Sequence, residues 1–194
     1  MINLLPEPKR LLEKQGSTKP FTKICLNSEE KNLDLNELLE ITELRLWNYK
    51  EIKTAVGEGG GDGEMPVHIE LSLDGLDAEQ PELFAAQGYD LDIGEEEIVL
   101  RYENRAGFIN AVTSLKMLLE ESGGAYRLPL CRITDYPSLP VRAIAQTFSW
   151  YAGYGRFGFD SQLWGYEDWV QYLNICLDNK INQFNLVMYG YWPF

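Results

Sequence analysis

Residues 88–119, GYDLDIGEEEIVLRYENRAGFINAVTSLKMLL, carry the clearest structural pattern in the chain. Their first half alternates apolar and polar side chains on either side of the turn residues 94–96, which predicts an antiparallel hairpin with one buried face. From Phe108 onward the apolar residues recur at helical spacing, so a helix is expected to follow and to pack on the hairpin. Gly123 and Gly124 are predicted to end that helix.

The segments before this stretch extend the same layer. Residues 33–47 have apolar side chains at helical spacing, and Asn32 or Asp34 is the expected N-cap. Residues 20–27 and 67–73 are predicted strands, and the second alternates cleanly. The pattern predicts an α+β domain, a mostly antiparallel sheet with helices packed on it.

The glycine-rich stretch 57–64, GEGGGDGE, is similar in composition to a phosphate-binding loop. It lacks the terminal Lys-Ser/Thr of that motif. It also lies between a predicted helix and a predicted strand, whereas phosphate loops run from a strand into a helix. We therefore interpret it as a flexible connector.

A second unit follows a connector that contains Pro129, Pro137 and Pro140. Residues 141–148 form a predicted strand, a helix follows an aromatic loop, and QFNLVMYGYWPF at 183–194 contains another strand. Such a β-α-β unit is parallel. A (β/α)₈ barrel takes roughly 250 residues, and only 54 follow Pro140. The expected division is therefore residues 1–138, an α+β domain, and 139–194, the incomplete start of a TIM barrel.

Composition excludes several kinds of partner and cofactor. The formal net charge is −13, and residues 58–103 hold fourteen acidic residues and one basic residue. This charge argues against nucleic acid as a partner. Three scattered cysteines and one histidine, His68, predict neither a metal site nor a disulfide framework, and no cofactor is expected. The sequence shows no apolar run of membrane-spanning length and no signal pattern, so we expect either a cytoplasmic protein or one from which a leader has already been removed, with the cytoplasmic location favoured.

Four segments together resemble a known family: LLPEPKRL, GYDLDIGEEEIVLRYE, RAGFINAVTSLKMLL and LPLCRITDYPSLPVRA. Over residues 2–145 the chain is similar to the N-terminal accessory domain of glycoside hydrolase family 20, the β-N-acetylhexosaminidases. The resemblance is most specific over residues 88–142. It implies an accessory domain that precedes a (β/α)₈ catalytic barrel.

The resemblance also implies one substrate contact. Family members have an arginine at the start of the first barrel strand that binds sugar hydroxyls, and Arg142 matches it. A planar guanidinium suits two neighbouring hydroxyls; pairing with an acid at the domain boundary is the structural alternative. The family glycine after this arginine is Ala143 here. Parent enzymes of the α-glucuronidase or α-N-acetylglucosaminidase type therefore stay open.

Aromatic residues follow both predicted barrel strands, at the ends where barrel active sites are built. Stacking of sugar rings is one use for such residues, and core packing is the other. The predicted substrate-binding residues are Arg142, Trp150, Tyr189, Tyr191 and Trp192.

No catalytic residue is predicted in this chain. The family's Asp-Glu pair lies after the fourth barrel strand. Residues 139–194 include only the first two predicted barrel strands. We expect an N-terminal fragment of a glycoside hydrolase that binds carbohydrate in its parent enzyme and is inactive alone. A non-catalytic carbohydrate- or partner-binding module is the alternative, and a purely supporting role a third. Two barrel strands without neighbours also predict self-association.

Overall fold

A computed structural model describes residue 2 and residues 4–149 and 164–189 of the chain. Contacts divide the chain into two compact units, residues 1–138 and 139–194. None of the helices within these described ranges is long and apolar enough to cross a membrane.

The first unit is built on a seven-stranded sheet with three helices. Its strands are β1 (Arg10–Ser17), β2 (Lys23–Asn27), β3 (Lys53–Val56), β4 (Glu64–Glu70), β5 (Tyr89–Ile93), β6 (Ile98–Tyr102) and β9 (Pro129–Asp135), and β7 (Glu120–Ser122) and β8 (Ala125–Arg127) form a separate hairpin. Its helices are α1 (Leu35–Arg45), α2 (Pro81–Gln87) and α3 (Arg105–Met117). The strand order is β1-β9-β5-β6-β4-β2-β3.

The core lies between the sheet and the helices α1 and α3. Residues of the central strands point into it, so that Leu91, Leu100 and Ile133 are all buried at neighbouring positions. Phe108 of α3 is fully buried against this face. The arrangement confirms the predicted α+β class, because a sheet with one apolar face must cover that face with helices.

Pairing in the sheet is mixed, which corrects the prediction of a mostly antiparallel sheet. The predicted hairpin is confirmed: β5 and β6 pair from Tyr89↔Tyr102 to Ile93↔Ile98. The pairs β2–β3, β2–β4 and β4–β6 are parallel, whereas β1–β9, β5–β6 and β5–β9 are antiparallel. The short strand β3 was not predicted; it lies on the far side of β2 from β4, at the edge of the sheet.

The glycine-rich connector joins β3 to β4, two strands that flank β2 and run parallel to it. The seven residues between β3 and β4 must therefore bring the chain from the end of β3 back to the start of β4, along the length of β2. Gly59 has a φ of +70°, and a Cβ added there would lie 2.9 Å from the Cβ of Cys25 on β2. Glycine is required at this position for two reasons: the backbone has a left-handed conformation, and it lies too close to β2 to leave room for a side chain.

The helix ends agree with the predictions in part. Asp34 caps α1, since its Oδ1 accepts from the backbone N–H groups of Asn36 at 3.0 Å and Glu37 at 3.2 Å. Gly123 and Gly124 do not end α3, which stops at Met117; they form the turn between β7 and β8 with φ of +63° and +82°.

The second unit contains β10 (Ala143–Ser149), α4 (Tyr166–Asp178) and β11 (Gln183–Tyr189). The two strands are parallel, and α4 lies between them in the chain. Trp169 and Tyr172 of α4 contact Phe184 of β11, each with ring centroids 5.9 Å apart. These two aromatics therefore hold the helix on the strands.

Candidate functional site

The carboxyl ends of β10 and β11 lie side by side. Their register runs from Ala143↔Gln183 to Ser149↔Tyr189, so the two strands end level. Tyr189 is the last residue of β11. The predicted site residues Trp150, Tyr191 and Trp192 lie outside the described residues, and the site they would form stays a prediction.

Arg142 lies at the opposite end of the same two strands. It precedes β10, and at roughly 3.3 Å per residue the strand separates it from Ser149 by about 20 Å. Its Nε donates to the carbonyl of Lys180 at 2.6 Å, and its Nη1 donates to the carbonyl of Leu139 at 2.9 Å. The structure thus does not bring Arg142 together with Tyr189, and its role as a sugar contact stays a prediction.

The contact with Lys180 has a local cause. Lys180 follows the last residues of α4 with a φ of 55°, a left-handed conformation that glycine usually occupies. The N–H of Ile181 donates to the carbonyl of Cys176 at 3.0 Å, and that of Lys180 to the carbonyl of Leu177 at 2.9 Å. These two bonds are those of a Schellman helix end. Arg142 therefore binds the carbonyl of the left-handed residue at this helix end.

A charged cluster lies on the sheet face that points away from the helices. Asp90 is fully buried there, and its carboxylate accepts from the guanidinium groups of Arg101 and Arg132 and from Thr134 Oγ1. Hydrogen bonding and charge from Asp90 raise the pKa of Arg132. The oxygens of this buried carboxylate are already occupied by two arginines and a hydroxyl, so Asp90 has a structural role and is not placed to contact a substrate. Alternation predicted an outward Asp90, but nothing local in the sequence indicated its burial.

A polar cavity of about 780 Å³ lies beside the glycine-rich connector and the β5–β6 turn. The hydrogen bond from Lys23 lowers the pKa of Glu64, and the hydrogen bond from Lys19 lowers that of Glu96. A general acid needs the opposite shift. Within the described residues, no group of three His, Cys, Asp or Glu side chains could hold a metal ion.

The family model described as "Glycosyl hydrolase family 20, domain 2" matches residues 1–136. This match confirms the resemblance found in the sequence. It covers the first unit almost completely and ends before β10.

Solved structures share the fold at low identity. The chain is similar to the GH20 exo β-N-acetylglucosaminidase of Vibrio harveyi, with 18% identity and a TM-score of 0.64, over 94% of this chain and 25% of that one. It is also similar to the β-N-acetylhexosaminidase of Bacteroides fragilis, with 19% identity and a TM-score of 0.64, over 94% and 32%. The GH20 β-N-acetylhexosaminidase of Streptomyces coelicolor A3(2) has 17% identity and a TM-score of 0.61, over 92% and 33%. The chain spans a quarter to a third of the length of these proteins.

Proposed function

We propose that the chain is the N-terminal, non-catalytic part of an enzyme that hydrolyses glycosides. Through residues 1–136 the chain belongs to the family described as glycosyl hydrolase family 20, domain 2. The family match over the first unit carries this proposal. The neighbours contribute the fold alone; two of the three compared above are named β-N-acetylhexosaminidases and the third an exo β-N-acetylglucosaminidase.

Residues 139–194 are the start of a (β/α)₈ barrel in this proposal. The parallel pair β10–β11 with α4 between them supports it, because this is the repeating unit of such a barrel. The structural matches also extend past residue 136, since they cover 92–94% of this chain.

This part of the enzyme does not hydrolyse glycosides by itself. Most glycosidases need two carboxyl groups on either side of the bond that is cleaved, and hexosaminidases of this family need a pair beside the substrate's acetamido group. The two strands β10 and β11 and the residues after each of them, 143–165 and 183–194, contain one carboxylate, Asp160. No pair can be assembled from them.

Hydrolysis of 4-nitrophenyl N-acetyl-β-glucosaminide, of its α-anomer and of 4-nitrophenyl α-glucuronide tests this claim. The purified chain should release no nitrophenol above the level of a mock purification from the same host. Release that exceeds the mock sample and scales with the amount of chain would overturn the proposal.

Carbohydrate is the proposed partner at the carboxyl ends of β10 and β11. The level strand ends at Ser149 and Tyr189 support this, because the aromatic residues in question follow them directly. Chitotetraose should shift the backbone NMR signals of residues 143–149 and 183–189, and a Trp150→Ala, Trp192→Ala variant should abolish those shifts. Unchanged signals at 10 mM ligand would count against this site.

Self-association through the second unit is the remaining proposal. Each of its two strands has one unpaired edge within the described residues. Leu186 on β11 is 43% exposed, and Val141, two residues before β10, is 54% exposed. Unpaired strands with exposed apolar side chains favour pairing between copies. Sedimentation at increasing concentration should show dimers or larger species; a monomer at 200 µM would refute this.

A further inference from the structure

A second cavity, of about 560 Å³, lies at the edge of the seven-stranded sheet. It is formed by the end of α1, the turn that follows and the edge strand β3. Leu46 and Ile52, both buried, provide its apolar lining. Its polar and aromatic lining residues are Glu43, Trp47, Tyr49, Lys50, Lys53 and Thr54.

The turn that carries these residues is held in place by several contacts. The N–H of Tyr49 donates to the carbonyl of Leu46 at 2.7 Å. The Tyr49 ring packs edge-on against Tyr126 with centroids 5.8 Å apart, and Tyr126 donates its hydroxyl to Glu51 at 3.2 Å. The cavity is therefore preformed, as small-molecule sites usually are.

Trp47 and Tyr49 offer aromatic surface to this cavity. Both side chains are half-buried, and Lys116, which does not line the cavity, lies over the Trp47 ring with its Nζ 5.4 Å from the centroid. Nε1 of Trp47 is buried and has no hydrogen-bond partner among the described residues. This donor is closed to solvent, so the contact available to a ligand is the surface of the two rings. An aromatic surface suits a sugar, which has a weakly apolar C–H face.

The charge of the residues that line the cavity determines which ligand charge it favours. Lys50 and Lys53 are exposed and form no ion pair with any described residue, although the chain as a whole has a net charge of −13. The Glu43 carboxylate accepts from the Thr54 hydroxyl at 2.7 Å. Two free lysines against one hydrogen-bonded carboxylate leave the lining with a net positive charge, which favours an anionic ligand.

We propose that this cavity binds an acidic saccharide, a sugar ring that stacks on Trp47 or Tyr49 and places a carboxylate or sulfate between Lys50 and Lys53. The site lies in the first unit and takes no part in bond cleavage. It therefore does not depend on the hydrolytic activity proposed for the parent enzyme, and hydrolysis assays and binding assays fail independently.

Binding of three tetrasaccharides to the full chain tests the proposal: hyaluronan, which carries carboxylates, chondroitin 4-sulfate, which carries both anions, and chitotetraose, which is neutral. Calorimetry gives the affinity, and NMR of the tryptophan indole and backbone signals locates the site. We expect at least one anionic ligand to bind at least tenfold more tightly than chitotetraose. It should shift the Trp47 indole signal and the signals of residues 46–54. Binding of hyaluronan would mean that a carboxylate suffices, and binding of chondroitin sulfate alone would mean that sulfate is required.

A Lys50→Ala, Lys53→Ala double variant should weaken that binding about tenfold without loss of folding, because both side chains are exposed. Lys31→Ala, another exposed lysine that does not line the cavity, is the matched control and should bind like the wild type. Trp47→Phe should retain folding and weaken binding by a smaller factor. The proposal is overturned if neither anionic ligand binds at 10 mM, if chitotetraose binds equally well, or if the double variant binds like the Lys31 control.

Discussion

Replacing Asp90 with alanine should lower the free energy of unfolding of the first unit by about 3 kcal/mol. The carboxylate is fully buried and accepts four hydrogen bonds: 3.2 Å from Arg101 Nη1, 3.1 Å from each of Arg132 Nε and Nη2, and 2.7 Å from Thr134 Oγ1. Removing one partner of a buried pair costs about 3–5 kcal/mol, because the other charge is left uncompensated.

The lower end of that range applies here. The side chains of Arg101 and Arg132 are 27% and 39% exposed, so water can solvate part of their charge once Asp90 is gone. Arg101 also keeps its contact with Glu70, at 2.6 Å from Nε. Only Thr134, which is buried, loses a partner without access to water.

Urea unfolding followed by far-UV circular dichroism measures the effect, with Asp92→Asn as the matched control. Asp92 is the next outward residue of β5, and it pairs with Lys14 at 2.5 Å with both side chains about one-third exposed. Such a pair contributes about 0–1 kcal/mol. The reasoning is refuted if Asp90→Ala costs less than about 1 kcal/mol, or no more than the control. In that case the buried cluster would be as dispensable as a surface ion pair.

Three further predictions concern helix packing, capping and alkaline stability. Gly107→Ala should lower the free energy of unfolding, measured by thermal melting, by about 2 kcal/mol or more. The added Cβ would lie 2.1 Å from the carbonyl oxygen of Gly88. An unchanged melting temperature would show that α3 can shift away. Asp34→Ala should lower the free energy of unfolding by about 1 kcal/mol through loss of the α1 cap, whereas Asn32→Ala, two residues before the cap, should be neutral; equal effects would contradict the capping role. Burial raises the pKa of the Cys131 thiol to about 11. The unfolded thiol ionises first, so stability should fall as pH rises from about 9 to 11. In urea unfolding across this range, Cys131→Ala should show a shallower fall; an identical slope would assign the loss to other groups.

Several elements were predictable because their signals are local. Alternation identified β5 and β6, and helical spacing identified α1 and α3. Of the two expected caps of α1, Asn32 and Asp34, the structure shows Asp34. These patterns depend on residues only a few positions apart, and they determine which side of an element is apolar. The four quoted segments likewise indicated the family, which the match over residues 1–136 confirmed.

Strand pairing was not predictable to the same degree. The short strand β3 has too few residues for a periodic pattern, and its presence places β2, β3 and β4 in parallel. The tight passage of Gly59 against Cys25 follows from that pairing. Neither fact can be derived from the composition of GEGGGDGE, because both depend on contacts between residues that are distant in the chain.

The candidate sites show the same division. The family resemblance suggested Arg142, and the predicted strand ends suggested the aromatic residues that follow them; both remain predictions. The fold then placed Arg142 at the opposite end of β10 from Ser149, a separation that follows from the length of the strand. It also surrounded Asp90 with two arginines from neighbouring strands, and it gathered Trp47, Lys50 and Lys53 around one cavity. Burial and charge pairing of this kind arise when strands and turns pack together, so only the tertiary structure could determine them.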